Sequence, residues 1–274
     1  MTGRRRRLGD LSYALVIGAL AALALLILVG PVVIVLMVSF TQDRSIKFPP
    51  SGFSLQWYEL LFDATRSRQI HRAAGNSLYA AAMATAIAVL LGTMAALAIA
   101  RTRALWARAA ETFFTSPLIL PGLAFGLAAL VYFTLIGLRP SLDLIVLGHV
   151  VVIVPFVIRT TVASLSQLDP ALLESSASLG ASAFYTFRRV TLPVIAPGIA
   201  AGAFLAFIAS MDNVPVSLFL SGPRSDMLPI RLWGMMDSTL DVRVAAVSGV
   251  LIGATLLLML IMERLVGLSR RLRD

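Results

Sequence analysis

An all-α protein that crosses a lipid bilayer about six times is the fold class this sequence predicts. Three observations point to it. Of 274 residues, 58% are hydrophobic and only 14% charged, against roughly 45–50% apolar and about 25% charged in soluble domains. Six apolar runs recur along the chain, mostly near the roughly 20 residues a helix needs to cross the hydrocarbon core. None alternates apolar and polar residues as a membrane β-strand would, and a long run in lipid can satisfy its own backbone only as helix.

The runs are taken in order. The first, 13–40, follows four arginines at 4–7. That arrangement also fits a secretory leader, but the run is longer than a leader's apolar core. No small-residue cleavage site followed by a soluble domain comes after it, so a retained helix is expected. The second run, 76–100, is closed by Arg101 and Arg103. The third, 112–138, is interrupted by Pro117 and Pro121. The fourth, 144–158, is short, holds Pro155 and is expected to reach about Ala163. The fifth covers 194–220 and the sixth 244–266. Together they make a membrane domain over 13–266, with tails at 1–12 and 267–274.

Lys and Arg placement orients these crossings. The tails, the 101–111 and 159–193 loops and Arg264 at the last helix end carry fourteen basic residues, the longer loops of the opposite side nine. The richer side, with both termini, is expected to be cytoplasmic. The net charge of +9 is thereby explained without nucleic-acid binding.

One cytoplasmic loop, 164–193, departs from the rest: SLSQLDPALLESSASLGASAFYTFRRVTLP. Asp169-Pro170 is an N-cap and first-turn signal, so Leu172, Leu173 and Glu174 open a short helix. Gly180 ends it, because glycine reaches the left-handed conformation without a Cβ clash. A second short helix fits 182–190, and Leu192-Pro193 is expected to turn the chain into the fifth run. Leu179, Phe184 and Phe187 supply apolar contacts. Arg188 and Arg189 are expected near a helix C-terminus, where positive charge is favourable. As a bland alternative, the segment is an amphipathic connector; loops beyond about 12–15 residues are usually functional or disordered, and the caps argue against disorder.

This segment resembles the coupling loop of ATP-binding-cassette importer permeases: Glu-Ala-Ala, three residues, Gly, nine residues, Ile-x-Leu-Pro. Here Glu174 stands six before Gly180 and Val190-Thr191-Leu192-Pro193 follows at the required distance. Ser175 and Ser176 replace the two alanines and Val190 the isoleucine. Asn76-Ser77-Leu78 with Gly92, and the Pro117–Pro121 stretch, are similar to the same permeases. Met211-Asp212-Asn213-Val214-Pro215-Val216-Ser217, followed by Leu228-Pro229-Ile230, resembles the spermidine/putrescine-type branch, which has two adjacent acids where this chain has Asp212 and Asn213.

The resemblance implies a type I ABC importer permease fold in a bacterial inner membrane. It assigns the contact with the ATPase to Glu174, Ser175, Ser176, Gly180, Arg188, Leu192 and Pro193. It also implies the partners: two ATP-binding-cassette subunits, a second permease subunit that is expected to differ from this one, and an extracytoplasmic solute-binding protein. This chain is then path and lever and not a catalyst. ATP is bound by the partner.

The residues agree on what is missing. A P-loop needs Gly-Lys-Ser or Gly-Lys-Thr, yet the only lysine is Lys47. Cysteine is absent, so thiolate metal sites and cysteine nucleophiles are excluded. The two histidines, His71 and His149, form no metal motif, and no cofactor is expected. His71 reads as a solvated loop residue. His149 falls inside the fourth run, where an ionisable group faces protein or a cavity.

Asp212 is the most informative ionisable residue. Counted along a continuous fifth helix from Pro193 it lies about 19 residues, or roughly 28 Å, from the cytoplasmic end. It is either an interfacial acid capping the helix end or a pore-facing carboxylate that attracts a cation, with Asn213 adding neutral hydrogen bonds. Ser217, Tyr132 and Phe219 are further candidates for the path that ordinary packing explains equally well. Asp237, Asp241 and Trp233, on the outer loop, either meet a binding protein or are solvated. The substrate expected from the branch is a polyamine. An opine, an aminophosphonate or ferric iron on the same machinery are alternatives, as are an ion-coupled secondary transporter and an intramembrane enzyme.

Overall fold

The computed structural model describes residues 3–100, 102 and 104–266. Arg101, Arg103, Met1, Thr2 and the C-terminal tail 267–274 lie outside the described residues. Two compact units divide the chain. One holds the N-terminal part up to Ser67 together with Met235–Thr255; the other holds Arg68–Gly234 together with the chain from Leu256 onward.

The first unit contains α1 (Gly3–Ser39) and α2 (Gln56–Phe62). Helix α1 is 37 residues long, about 55 Å at 1.5 Å per residue, so most of the expected 1–12 tail continues the first helix. Leu20, Leu23, Leu26 and Leu28 stand more than half exposed. An apolar surface on every side is the mark of a helix solvated by lipid. Pro31 sits inside it without ending it. Beyond α1 the chain closes a loop, with Gln42 N donating to Gly52 O at 3.0 Å and Ser54 N to Phe40 O at 2.6 Å. The Ser39 and Tyr58 hydroxyls meet at 2.8 Å and fix α2 to the end of α1.

The second unit is built from α3 (Arg68–Ala100), α4 (Leu105–Thr115), α5 (Gly122–Leu135), α6 (Leu142–Leu165), α7 (Pro170–Ser178), α8 (Ala183–Thr186), α9 (Leu192–Met211) and α10 (Val214–Leu220). Two further helices, α11 (Leu228–Thr239) and α12 (Arg243–Val266), complete the chain. Helices α3, α6 and α9 pack on one another, and α5 packs on α10. On α3 the residues Ala80, Ala84, Ala88, Gly92 and Ala96 recur every fourth position, all buried. Small side chains on one face let two helix backbones approach closely in lipid. Gly202 on α9 shows how tight this is: a Cβ there would lie 2.8 Å from Val157 Cα of α6. Helix α6 is the centre of the unit, with Ile145, Ile153, Val157 and Ile158 fully buried.

Among the described residues, five helices are long and apolar enough to cross a membrane, and six if α4 and α5 count as one broken span. The third expected run is that pair, bent by 100°. Pro121 supplies the reason, since it removes a backbone donor and pushes Leu120 out of the helical region. The fifth run is corrected too. It ends at Met211 and does not reach Leu220.

Candidate functional site: the 164–193 hairpin and the break after Met211

The expected caps of the 164–193 loop are present. Asp169 accepts a hydrogen bond from Ala171 N at 2.9 Å, with Pro170 in the first turn of α7. At its other end Gly180 has φ +78°. Gly180 N donates to Ala177 O at 2.9 Å and Ala181 N to Ser176 O at 3.1 Å. This pair of bonds satisfies the orphan carbonyls of a glycine-terminated helix. Ser182 then caps α8 by accepting from Tyr185 N at 3.3 Å, so one helix ends and the next begins within four residues.

Two expectations for this loop need correction. Leu192-Pro193 does not turn the chain: α8 continues through a π-helical turn at Phe187–Thr191 directly into α9. The ring of Pro193 would clash with the carbonyl of Arg189, four residues back, in a regular α-helix, and the wider π turn relieves this. Arg188 and Arg189 are exposed within that turn, so no helix C-terminus lies beside them and the dipole argument lapses.

The hairpin presents its apolar residues outward. Leu179 is 87% and Phe184 72% exposed, and Leu172, Leu173 and Tyr185 are exposed as well. Phe187 does the opposite, turning under the hairpin to line a cavity of about 880 Å³ with Leu97, Leu165, Leu168 and Leu173. Glu174 and Ser175 are exposed, Leu192 half-buried and Pro193 exposed. Ser176 is buried, and its hydroxyl bonds Thr186 Oγ1 at 2.8 Å, joining α7 to α8. The resemblance assigns Ser176 to the contact with the ATPase; its bond to Thr186 adds a tie within the hairpin.

The second candidate region is the break between α9 and α10. Pro215 favours a break, because in a continuous helix its ring would crowd the carbonyl four residues back, which is that of Met211. The helix ends there. Asp212 N still bonds Ile208 O, and Asn213 becomes the N-cap of α10, accepting from Val216 N at 3.2 Å. Asp212 is exposed. The signal was present in the sequence as Asp-Asn-x-Pro, an N-cap followed by a first-turn proline.

Of the other path candidates, Ser217 is buried and Phe219 half-buried in α10, and Tyr132 is 61% exposed on α5. His149 joins them. It is fully buried, with Nδ1 2.7 Å from Ser210 Oγ and Nε2 3.1 Å from Ser217 Oγ. The structure thus groups Asp212, Asn213, Ser217 and His149 about one helix break. Ser210 went unnoticed in the sequence because nothing local marks it.

Two separate sequence motifs also meet. Asn76 Nδ2 donates to the carbonyls of Arg224 and Asp226, and Ser77 Oγ accepts from Leu228 N at 2.9 Å. Asn76-Ser77 therefore anchors the loop that leads to Leu228-Pro229-Ile230. Asp241 is half-buried and held by Arg243, whose Nε and Nη2 lie 2.9 and 2.6 Å from Oδ2. Burial pushes its carboxyl up, but the hydrogen bonds and charge of Arg243 outweigh this and hold it below the usual carboxylate range. Asp241 is thus committed to Arg243, whereas Asp237 and Trp233 are exposed. Among the described residues no group of three or more His, Cys, Asp or Glu is placed to hold a metal ion.

Comparison with known proteins places these features. Residues 60–272 match the family described as binding-protein-dependent transport system inner membrane component. The spermidine/putrescine transport system permease protein PotC of Escherichia coli (strain K12) is 30% identical over 84% of this chain and 86% of its own length. The protein named "Putative 2-aminoethylphosphonate transport system permease protein PhnV", of Salmonella typhimurium (strain LT2), is 28% identical over 86% of this chain and 88% of its own. A bacterial alginate ABC transporter, solved in complex with an alginate pentasaccharide-bound periplasmic protein, has the same fold. It aligns with a TM-score of 0.70 and 18% identity over 99% of this chain and 98% of that one.

Proposed function

This chain belongs to the family of binding-protein-dependent transport system inner membrane components, and from that premise we propose that it forms half of the translocation path for a polyamine-type cation. It is a multi-pass inner-membrane permease subunit of an ABC importer. Separate ATPase subunits supply the energy, two of them gripping the 164–193 hairpins of a permease pair. The observation that carries this reading is the hairpin itself, with Leu179 and Phe184 exposed on either side of a turn fixed at Gly180. Large apolar side chains grouped on a short, capped element fit a protein cleft better than water. Because α8 runs through the π-helical turn into α9 as one continuous span, movement of the hairpin passes along that helix towards the break at Asp212. The Lys and Arg bias supports termini on the same, cytoplasmic side. A solute-binding protein docks opposite, and a second, different permease completes the path.

For the substrate, the similarity to PotC and the exposed carboxylate of Asp212 support a cation. Attraction between unit charges 4 Å apart is about 1 kcal/mol in water and about 4 kcal/mol near a protein surface. The similarity to PhnV favours a second reading, an aminophosphonate, whose phosphonate would be repelled by the same carboxylate. Proteoliposomes holding the full transporter and its binding protein separate the two. ATP-dependent uptake of labelled putrescine, lost in Asp212→Asn, supports the first reading. Uptake of 2-aminoethylphosphonate alone, retained in Asp212→Asn, would replace it with the second. Uptake driven by an ion gradient without ATP would overturn both.

A further inference from the structure

A buried histidine inside a membrane span is costly, because an imidazole taken from water needs partners for both ring nitrogens. His149 has them, and their placement is informative. Ser210 lies in the last turn of α9 and Ser217 within α10, on opposite sides of the Asp212-Asn213 break. Both hydroxyls are buried, Ser210 completely and Ser217 to within 2%. One imidazole on α6 therefore bonds the helix before the break and the helix after it. In a neutral ring one nitrogen donates and the other accepts, and a serine hydroxyl serves either role.

His149 bonds a side chain on each helix, beside the backbone bond from Asn213 N to Ser210 O at 3.3 Å that spans the break locally. Pro215 disfavours a continuous helix here, and the Asn213 side chain caps α10. Helix α6 packs on both α9 and α10, and His149 is where that packing becomes hydrogen bonds to each of them. We propose that His149 is a positioning residue: it clamps α9 and α10 at a fixed angle and so sets where Asp212 and Asn213 stand. This rests on the reading that Asp212 lies on the translocation path, but the clamp itself can be judged without it.

The absence of cysteine makes the test direct. Leu205→Cys on α9 and Leu218→Cys on α10, both exposed, take spin labels on the two sides of the break in the assembled, full-length transporter. The expected distance distribution is narrow, and it broadens in His149→Leu. Ser210→Ala and Ser217→Ala, which remove one hydroxyl each, broaden it as well, and the double variant adds little to His149→Leu. His149→Gln, which keeps a donor and an acceptor, restores part of the narrow distribution. Ser210→Ala also raises the KM for labelled putrescine up to about tenfold, in line with one lost hydrogen bond, with a smaller change in kcat. Unchanged distributions in both serine variants would overturn the clamp, whatever happens to transport. Asp212→Asn, by contrast, leaves the distribution narrow. If it also leaves uptake intact, the path reading fails while the clamp stands.

Discussion

The hairpin at Gly180 and the break at Asp212 are both interruptions between two helices, yet they are held by different means. At Gly180 every tie is local: the Asp169 cap, the two backbone bonds around the glycine, the Ser182 cap and the Ser176–Thr186 bond all fall within eighteen residues. The apolar side chains it carries point outward. At the break the local ties are the backbone bonds of Asp212, Asn213 and Val214 and one cap. The remaining support comes from other helices: α5 and α6 pack on α10, and His149 bonds both sides, sixty-one and sixty-eight residues away from its serines. A locally tied element keeps its shape while moving as one piece, which suits a handle. An element tied through its neighbours changes when they move, which suits a gate.

This difference can be broken from either side. The largest effect is expected from Gly202→Leu. The new side chain would meet the α6 backbone, and overpacking of this kind costs about 1–3 kcal/mol or more. It should lower the melting temperature of the complex and separate Ser210 from His149, while Leu179→Cys on the hairpin keeps its reactivity. Gly180→Val comes next. A β-branched residue in the left-handed region is strained by roughly 1–2 kcal/mol, so the hairpin should lose its shape. ATP-driven uptake should then fall at least about tenfold while the chain still inserts, as read by quantifying it in washed membranes.

Ser176→Ala should cost about 1 kcal/mol, because it leaves Thr186 without its partner across the hairpin. Limited proteolysis between residues 178 and 183 should accelerate modestly, with the break unaffected. Asp241→Asn, outside both regions, is the smallest at under about 1 kcal/mol, and its pH dependence has a definite sign. The carboxyl is held below its unfolded value, so the pair stabilises the protein above the ordinary carboxylate range near 3.9. That stability is lost as pH falls below this value. The melting difference between wild type and variant should therefore be present at pH 7 and shrink below about pH 4.

The same contrast explains what could be read from the sequence. Hydropathy located the spans, because bilayer thickness fixes the length of each. Asp169-Pro170, Gly180 and Ser182 are local signals, and the hairpin follows them closely. The bent third span and the early end of the fifth were also local in origin, through Pro121 and Pro215, but apolar runs continue across both and conceal them. The π turn at Phe187–Thr191 depends on how Pro193 fits the preceding carbonyl, a matter of three-dimensional fit. The pairing of His149 with Ser210 and Ser217, and of Asn76 with the 224–226 loop, depends on helix packing, which no short window of sequence contains.

The central claim is that the hairpin is where ATPase movement enters this chain. With no native cysteine, Leu179→Cys places one thiol at the hairpin's most exposed large apolar side chain. In the assembled importer it should cross-link to the ATPase subunit, become shielded from a soluble maleimide, and change in reactivity on addition of ATP. A thiol equally accessible with and without the ATPase subunits, and no cross-link from Leu179→Cys or Phe184→Cys, would contradict the account.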